Sequence, residues 1–273
     1  MARILTVTNQ KGGVGKTTSV INIAACWARK TGPDKVLVVD VDPQASLTTI
    51  FLGIAAAAGP RVQGHNSIVD VLKQDVAVHE AIHVADLPRS EGYAASNVHV
   101  LPSHAELARV ENELNATPLG MFRLADALDA ISSEYEVIII DCPASLGIYT
   151  VSALIAAREV VVPVIPGQFE IYALALLQQT IKQVKSPRLN PLLRLAAILP
   201  IKTDNTNLSR NTISELQHHF GDLVLPEVRQ RVAIGEAHAA GQDVFTYSPG
   251  SDSAAMFEKV VDILLARKVT DGH

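Results

Sequence analysis

Short apolar runs alternate along this chain with longer stretches whose apolar positions recur every three to four residues. The runs at 4–7, 36–39, 98–101, 137–140, 160–165 and 195–199, with a shorter one at 223–225, read as strands. The stretches at 16–30, 67–73, 105–115, 121–133, 173–184, 208–220 and 253–267 read as helices, with a short one at 47–52. Strand, helix, strand in this order predicts an α/β fold: a mostly parallel, twisted sheet with helices on both faces, in three layers. The alanine-rich stretch at 55–60 reads as a surface loop. No repeat period and no long Pro/Gly/Ser linker divides the chain, so one domain is expected over 1–273.

Composition sharpens this picture. Aromatic residues are 4% of a chain that is 48% hydrophobic, so the core must be built from Val, Ile, Leu and Ala. That suits a parallel sheet buried on both faces. The net charge of −5 argues against a surface coated in positive charge. It is unevenly spread, however: residues 180–231 carry a net +4 against −9 for the rest. Cys26 and Cys142 lie in no metal-ligand or disulfide spacing. No signal-peptide pattern occurs, and no apolar run approaches the ~18 residues of a membrane span. A soluble, cytoplasmic protein is expected.

Three segments carry chemistry. The first is Gln10-Lys11-Gly12-Gly13-Val14-Gly15-Lys16-Thr17-Thr18, between a strand and a helix. Glycines let successive N–H groups turn towards phosphate oxygens, and the helix N-terminus adds its dipole. Lys16 would reach the β- and γ-phosphates, and the Thr17 hydroxyl would ligate Mg²⁺. The GxxxxGK[ST] pattern has a glycine where this chain has Gln10, and Lys11 is an additional lysine. The second segment, Asp40-Val41-Asp42-Pro43-Gln44, follows the second strand. Ligands of open α/β sheets bind at the carboxyl ends of strands, so both carboxylates could face the phosphates. Taken alone, this segment is better read as a strand ending in a polar turn. The third is the run at 137–140 ending in Asp141, a Walker B arrangement that would hold Mg²⁺ opposite Thr17. Together the three imply a P-loop nucleotide hydrolase that binds Mg-ATP.

The loop with Lys11 as well as Lys16 resembles the deviant Walker A motif of the ParA/MinD class of ATPases. Within that class the 39–44 and 141–147 segments look like ParA partition ATPases. So do Pro166-Gly167-Gln168-Phe169-Glu170 and Gly235-Glu236-Ala237 with Gly241. The resemblance runs from about 3 to 268 and has no N-terminal helix-turn-helix extension. It implies a homodimer with two ATP molecules sandwiched between the subunits. Lys11 would then reach the partner's nucleotide, Asp42 would position the attacking water and Asp40 would support the Mg²⁺ shell. It also implies that the ATP-bound dimer binds DNA without sequence preference and is nucleoid-associated. A ParB-like centromere-binding partner would stimulate hydrolysis and release it, partitioning a plasmid or chromosome. The basic segment is the expected DNA surface, with Lys182, Lys185, Arg210, Arg229 and Arg231 acting together. The 199–204 and 226–231 stretches are candidates for adenine contacts.

Rival readings exist. His79-Glu80-Ala81-Ile82-His83 matches the zinc-protease signature HExxH, in a short run that breaks by Pro88, and is expected to be a chance match. A MinD-like membrane-associated ATPase would need an amphipathic terminal helix. The stripe Phe257, Val260, Val261, Leu264 and Leu265 is more simply a core-facing one. An ATP-dependent amidotransferase or carboxylase on this fold would need a second-substrate motif, and none is visible.

Overall fold

The computed structural model describes residues 1–267 except 33, 54–56, 58–65, 86–97 and 169. In chain order its elements are β1 (Arg3–Val7), α1 (Lys16–Thr31), β2 (Val36–Asp40), α2 (Ser46–Leu52), α3 (Ile68–Lys73), β3 (His83–Val84), β4 (Val98–Leu101), α4 (Leu107–Ala116) and α5 (Arg123–Ile131). There follow β5 (Val137–Asp141), α6 (Ile148–Ala156), β6 (Glu159–Val164), α7 (Glu170–Val184), β7 (Arg194–Thr203), α8 (Asn207–Phe220), β8 (Val228–Arg229), α9 (Val232–Ala239), α10 (Val244–Tyr247) and α11 (Asp252–Ala266).

The strands form one sheet in the order β3-β4-β2-β5-β1-β6-β7-β8. Every described pairing is parallel except β3 with β4. Alternation along the strands divides the core in two, because successive side chains leave a strand on opposite faces. Ile4, Leu37, Val39, Ile138, Ile140, Val160 and Val162 pack on one face with α3 to α7. Leu5, Val7, Val36, Val38, Val137, Ile139 and Val161 pack on the other with α1, α2, α10 and α11. Both faces are therefore covered, which is why these strands read as continuous apolar runs rather than alternating ones.

Several elements differ from expectation. The 121–133 helix begins as a 3₁₀ turn (Gly120–Phe122) and becomes α-helical at Arg123. The 223–225 strand is a 3₁₀ turn (Gly221–Leu223) followed by a single bridge from Val224 to Ile198. Pro226, which has no N–H to donate, follows directly, and pairing with β7 resumes at Val228. The stretch 79–83 is not a helix: Val78–Ala81 is a 3₁₀ turn and His83 lies in β3. His79 pairs with Glu134 at 2.7 Å, and His83 meets the Asn66 carbonyl at 2.9 Å. Helical i, i+4 geometry for two zinc ligands is thus missing, and no metal-binding cluster occurs among the described residues.

Candidate functional site

Parallel pairing brings the chemistry to one edge of the sheet. Val7, Asp40 and Asp141 end adjacent strands in matched register, with Asp141 opposite both of the others. The 10–18 loop leaves β1 at this edge and enters α1 through Gly15, whose φ of 85° is left-handed. Glycine is favoured there by conformation, and a Cβ would lie a tight 3.1 Å from Ile201 Cδ1. The first turn of α1 has no side-chain cap, and its N–H groups face the loop. Lys16 is 8% exposed and donates to the Lys11 carbonyl at 3.1 Å. Burial lowers its pKa, against the pull of Asp141 and Asp42.

The carboxylates divide their roles. The Thr17 hydroxyl donates to Asp141 Oδ2 at 2.7 Å, while Asp141 Oδ1 is buried with no hydrogen-bond partner. Burial, reinforced by the charge of Asp40, raises the Asp141 pKa well above the usual carboxylate range. An orphaned, buried oxygen beside a threonine hydroxyl fits a hard divalent cation. Asp40, expected in the Mg²⁺ shell, has both oxygens occupied: Oδ1 accepts from the Asp42 amide, and Oδ2 from the amide and hydroxyl of Thr48. It brackets the loop that carries Asp42. Burial outweighs those hydrogen bonds and pushes its pKa up to about 6. Asp42 is only partly buried; its carboxylate caps the Gln44 amide at 2.9 Å, and Ser103 holds its carbonyl.

Lys11 is placed differently from its expected role. Its ammonium pairs with Glu170, at the start of α7, within the same chain. The Glu170 side chain is buried, and its Oε2 has no hydrogen-bond partner. The Lys11 amide donates to Asn9 Oδ1, and Asn9 in turn donates to the Pro163 carbonyl of β6. Glu170 was visible in the sequence only as part of a family motif; its contact with Lys11 spans 159 residues and has no local signal.

Comparison with known proteins decides the family. A family profile described as AAA domain matches residues 2–195. The sporulation initiation inhibitor protein Soj of Bacillus subtilis is 37% identical over 261 residues, covering 94% of this chain and 96% of Soj. The chromosome partitioning protein ParA of Caulobacter vibrioides is 35% identical over 270 residues, covering 97% and 95%. This chain belongs to the ParA/MinD family of P-loop ATPases. Among solved structures, a cobyrinic acid a,c-diamide synthase from Mycobacterium smegmatis with bound ATP analog and magnesium superposes with a TM-score of 0.78. It is 29% identical, covering 97% of this chain and 95% of that one.

The adenine and DNA expectations raised by the ParA/MinD resemblance fare differently. A cavity of about 390 Å³ beside the loop is lined by Thr18, Ile201, Lys202, Arg229, Gln230, Arg231, Ile234, Gly235 and His238. It draws on both stretches named as adenine candidates. A larger concavity of about 970 Å³ between α8 and α11 shares no residue with the phosphate loop. The expected DNA residues lie on several different elements. Glu170 starts α7 beside Lys11; the helix carries Lys182, and Lys185 follows its last residue, roughly 20 Å away towards the opposite edge of the sheet. Arg229 ends β8 at the loop's own edge and pairs with Glu227 at 2.9 Å. Arg231 pairs with Asp252 at 2.7 Å, and Arg210 donates to Asn207.

His104, which no motif singled out, lies next to Ser103 behind the Asp42 loop. It is 1% exposed, and neither ring nitrogen has a hydrogen-bond partner. Burial holds its pKa below the ordinary 6.5, although Glu106 and Asp70 pull it upward. The folded state therefore favours the neutral ring. Its stabilising contribution is complete above pH 6.5 and is lost as pH falls through the lower folded value. Thermal unfolding followed between about pH 7 and pH 5 is expected to show a falling midpoint, flatter in His104→Phe. Equal slopes in the two proteins would remove His104 as the source.

Proposed function

We propose that the chain is a partition-type ATPase. In this reading it binds and hydrolyses Mg-ATP at residues 10–18 and pairs with a second copy when ATP is bound. The dimer binds DNA without sequence preference until a ParB-like centromere-binding partner stimulates hydrolysis. The carrying observation is the two-lysine phosphate loop above the Thr17–Asp141 pair, in a chain that matches Soj and ParA over nearly its whole length.

The geometry supports a division of roles. Lys16 and the N–H groups of residues 12–18 would hold the phosphates, and Thr17 with Asp141 would hold Mg²⁺. Mg²⁺, when bound, supplies positive charge to the phosphate oxygens. Asp42, partly exposed on a loop braced by Asp40 and Ser103, orients the attacking water. Lys11 must leave Glu170 to reach a partner's site, where it supplies charge in trans. This makes hydrolysis depend on pairing. The protein acts in the cytoplasm, on the nucleoid when ATP is bound.

A MinD-like membrane role has less support. Phe257, Val260, Val261 and Leu264 of the last helix are buried in the core, and Leu265 packs against it. The diamide synthase kinship favours a second reading, an ATP-dependent amide-forming enzyme, which turnover of a small carboxylic acid with an amide donor would reveal.

The test is binding to a random-sequence duplex with Mg-ATP, Mg-ADP or no nucleotide across a salt series. Binding only with ATP, weakening steeply with salt, is expected. Reversing Lys182 and Lys185, or separately Arg229 and Arg231, assigns the surface, because the two pairs lie at opposite edges of the sheet. Absence of binding with every nucleotide would discard the DNA half and turn the test to anionic liposomes.

A further inference from the structure

We infer that Lys202 is a third lysine of the phosphate loop, a positioning residue that clamps the glycine segment from outside and thereby sets nucleotide affinity. The inference rests on the nucleotide-binding reading above.

Lys202 lies near the end of β7, between two buried neighbours. Ile201 packs against Gly15, and Thr203 donates to Glu227 at 2.7 Å. Pairing with β8 shifts register between Ile201 and Thr203, so Lys202 occupies an irregular step in the strand. Its φ is 54°, a left-handed conformation that non-glycine residues adopt sparingly. Bulges of this kind re-aim a side chain, and they recur beside active sites. Here the ammonium is turned onto the Gly13 carbonyl, at 2.8 Å and 189 residues away in sequence.

That contact matters because no neighbouring group packs over Gly12 or Gly13. Nothing lies within 4 Å of where a Cβ would stand on Gly12 or Gly13, and Gly13 itself has a φ of 72°. The flanking restraints, Asn9 on the Lys11 amide and Lys16 on the Lys11 carbonyl, act before the glycines. Lys202 is exposed to solvent, so burial does not explain its strained backbone. Its carbonyl contact does: the N–H groups of a phosphate loop point at the ligand, and a cation on a carbonyl behind them fixes their direction. Lys202 also lines the 390 Å³ cavity, at its junction with the loop.

The experiment titrates fluorescent ATP and ADP analogues into the full chain carrying Lys202→Met, Lys202→Arg or Lys202→Gly, with thermal unfolding of each. Lys202→Met is expected to weaken ATP and ADP by the same factor, about three- to tenfold for a charge-assisted bond in partly solvated surroundings. It raises KM more than it lowers kcat. Lys202→Arg restores most of the affinity. Lys202→Gly loses affinity as Lys202→Met does, yet unfolds at the same temperature or higher, because glycine tolerates the positive φ. Unchanged affinity in Lys202→Met would overturn the inference. So would a loss confined to ATP, which would place Lys202 on the γ-phosphate rather than behind the loop. A wild-type chain that binds neither analogue would fail the nucleotide reading itself.

Discussion

Lys16→Ala is expected to reduce ATP turnover by at least about 100-fold, the order seen when a group that stabilises transferring charge is removed. The ammonium is buried at the one point where the loop, Asp141 and Asp42 converge, and it donates to a carbonyl of the same loop. The two nearby lysines do not take that place, because Lys11 is drawn off to Glu170 and Lys202 acts on Gly13. Lys11→Ala should behave differently: nucleotide binding is kept, and only the turnover that depends on a second copy is lost. Steady-state hydrolysis against protein concentration separates the two. Lys16→Gln serves as a control for folding, since removing the ammonium also takes its charge away from buried Asp141 and partly buried Asp42. Turnover within tenfold of wild type in a folded Lys16→Ala protein would mean that the site lies elsewhere.

The second large effect belongs to the far edge of the sheet. Glu159 is fully buried at the start of β6 and holds two arginines from the flanking strands, Arg3 at 2.7 Å and Arg194 at 2.6 Å. Arg3 also lies 5.2 Å over the Trp27 ring and donates to the Leu264 carbonyl, linking α1 and α11 to the sheet. Glu159→Ala leaves both guanidinium groups without their counter-charge. Breaking one partner of a buried pair costs about 3–5 kcal/mol, so the urea midpoint should fall sharply. A loss below about 1 kcal/mol would show that water re-solvates the arginines. A cycle with Arg3→Met isolates the coupling between Arg3 and Glu159.

The strands that carry the phosphate loop and Asp141 were legible because they are short apolar runs buried on both faces. Helix α6 was not. Its sequence is almost wholly apolar and nearly every residue is buried, so it lacks the polar face that gives a helix its period. β3 and β8 have two residues each, too few for any pattern. β7 was expected to stop at 199, before Pro200; it continues to Thr203 and so delivers Lys202 to the loop. Nothing about a lysine in a strand announces a positive φ. The basic residues of 180–231 fall on several elements, Lys182 on α7, Arg210 on α8 and Arg229 at the end of β8, a spread that sequence distance alone does not reveal.

The central place of β1 has a consequence for synthesis. Its partners on either side are β5 and β6, so the strand from which the phosphate loop springs has no neighbour until residues 137–164 have been made. At ~5–20 residues per second that interval is on the order of ten seconds. A nascent chain shorter than this carries all of 10–18 and still has no wall, no Asp141 and no Glu170 against which to set it. Ligand capture is therefore expected only from nascent chains that already include the middle of the sequence.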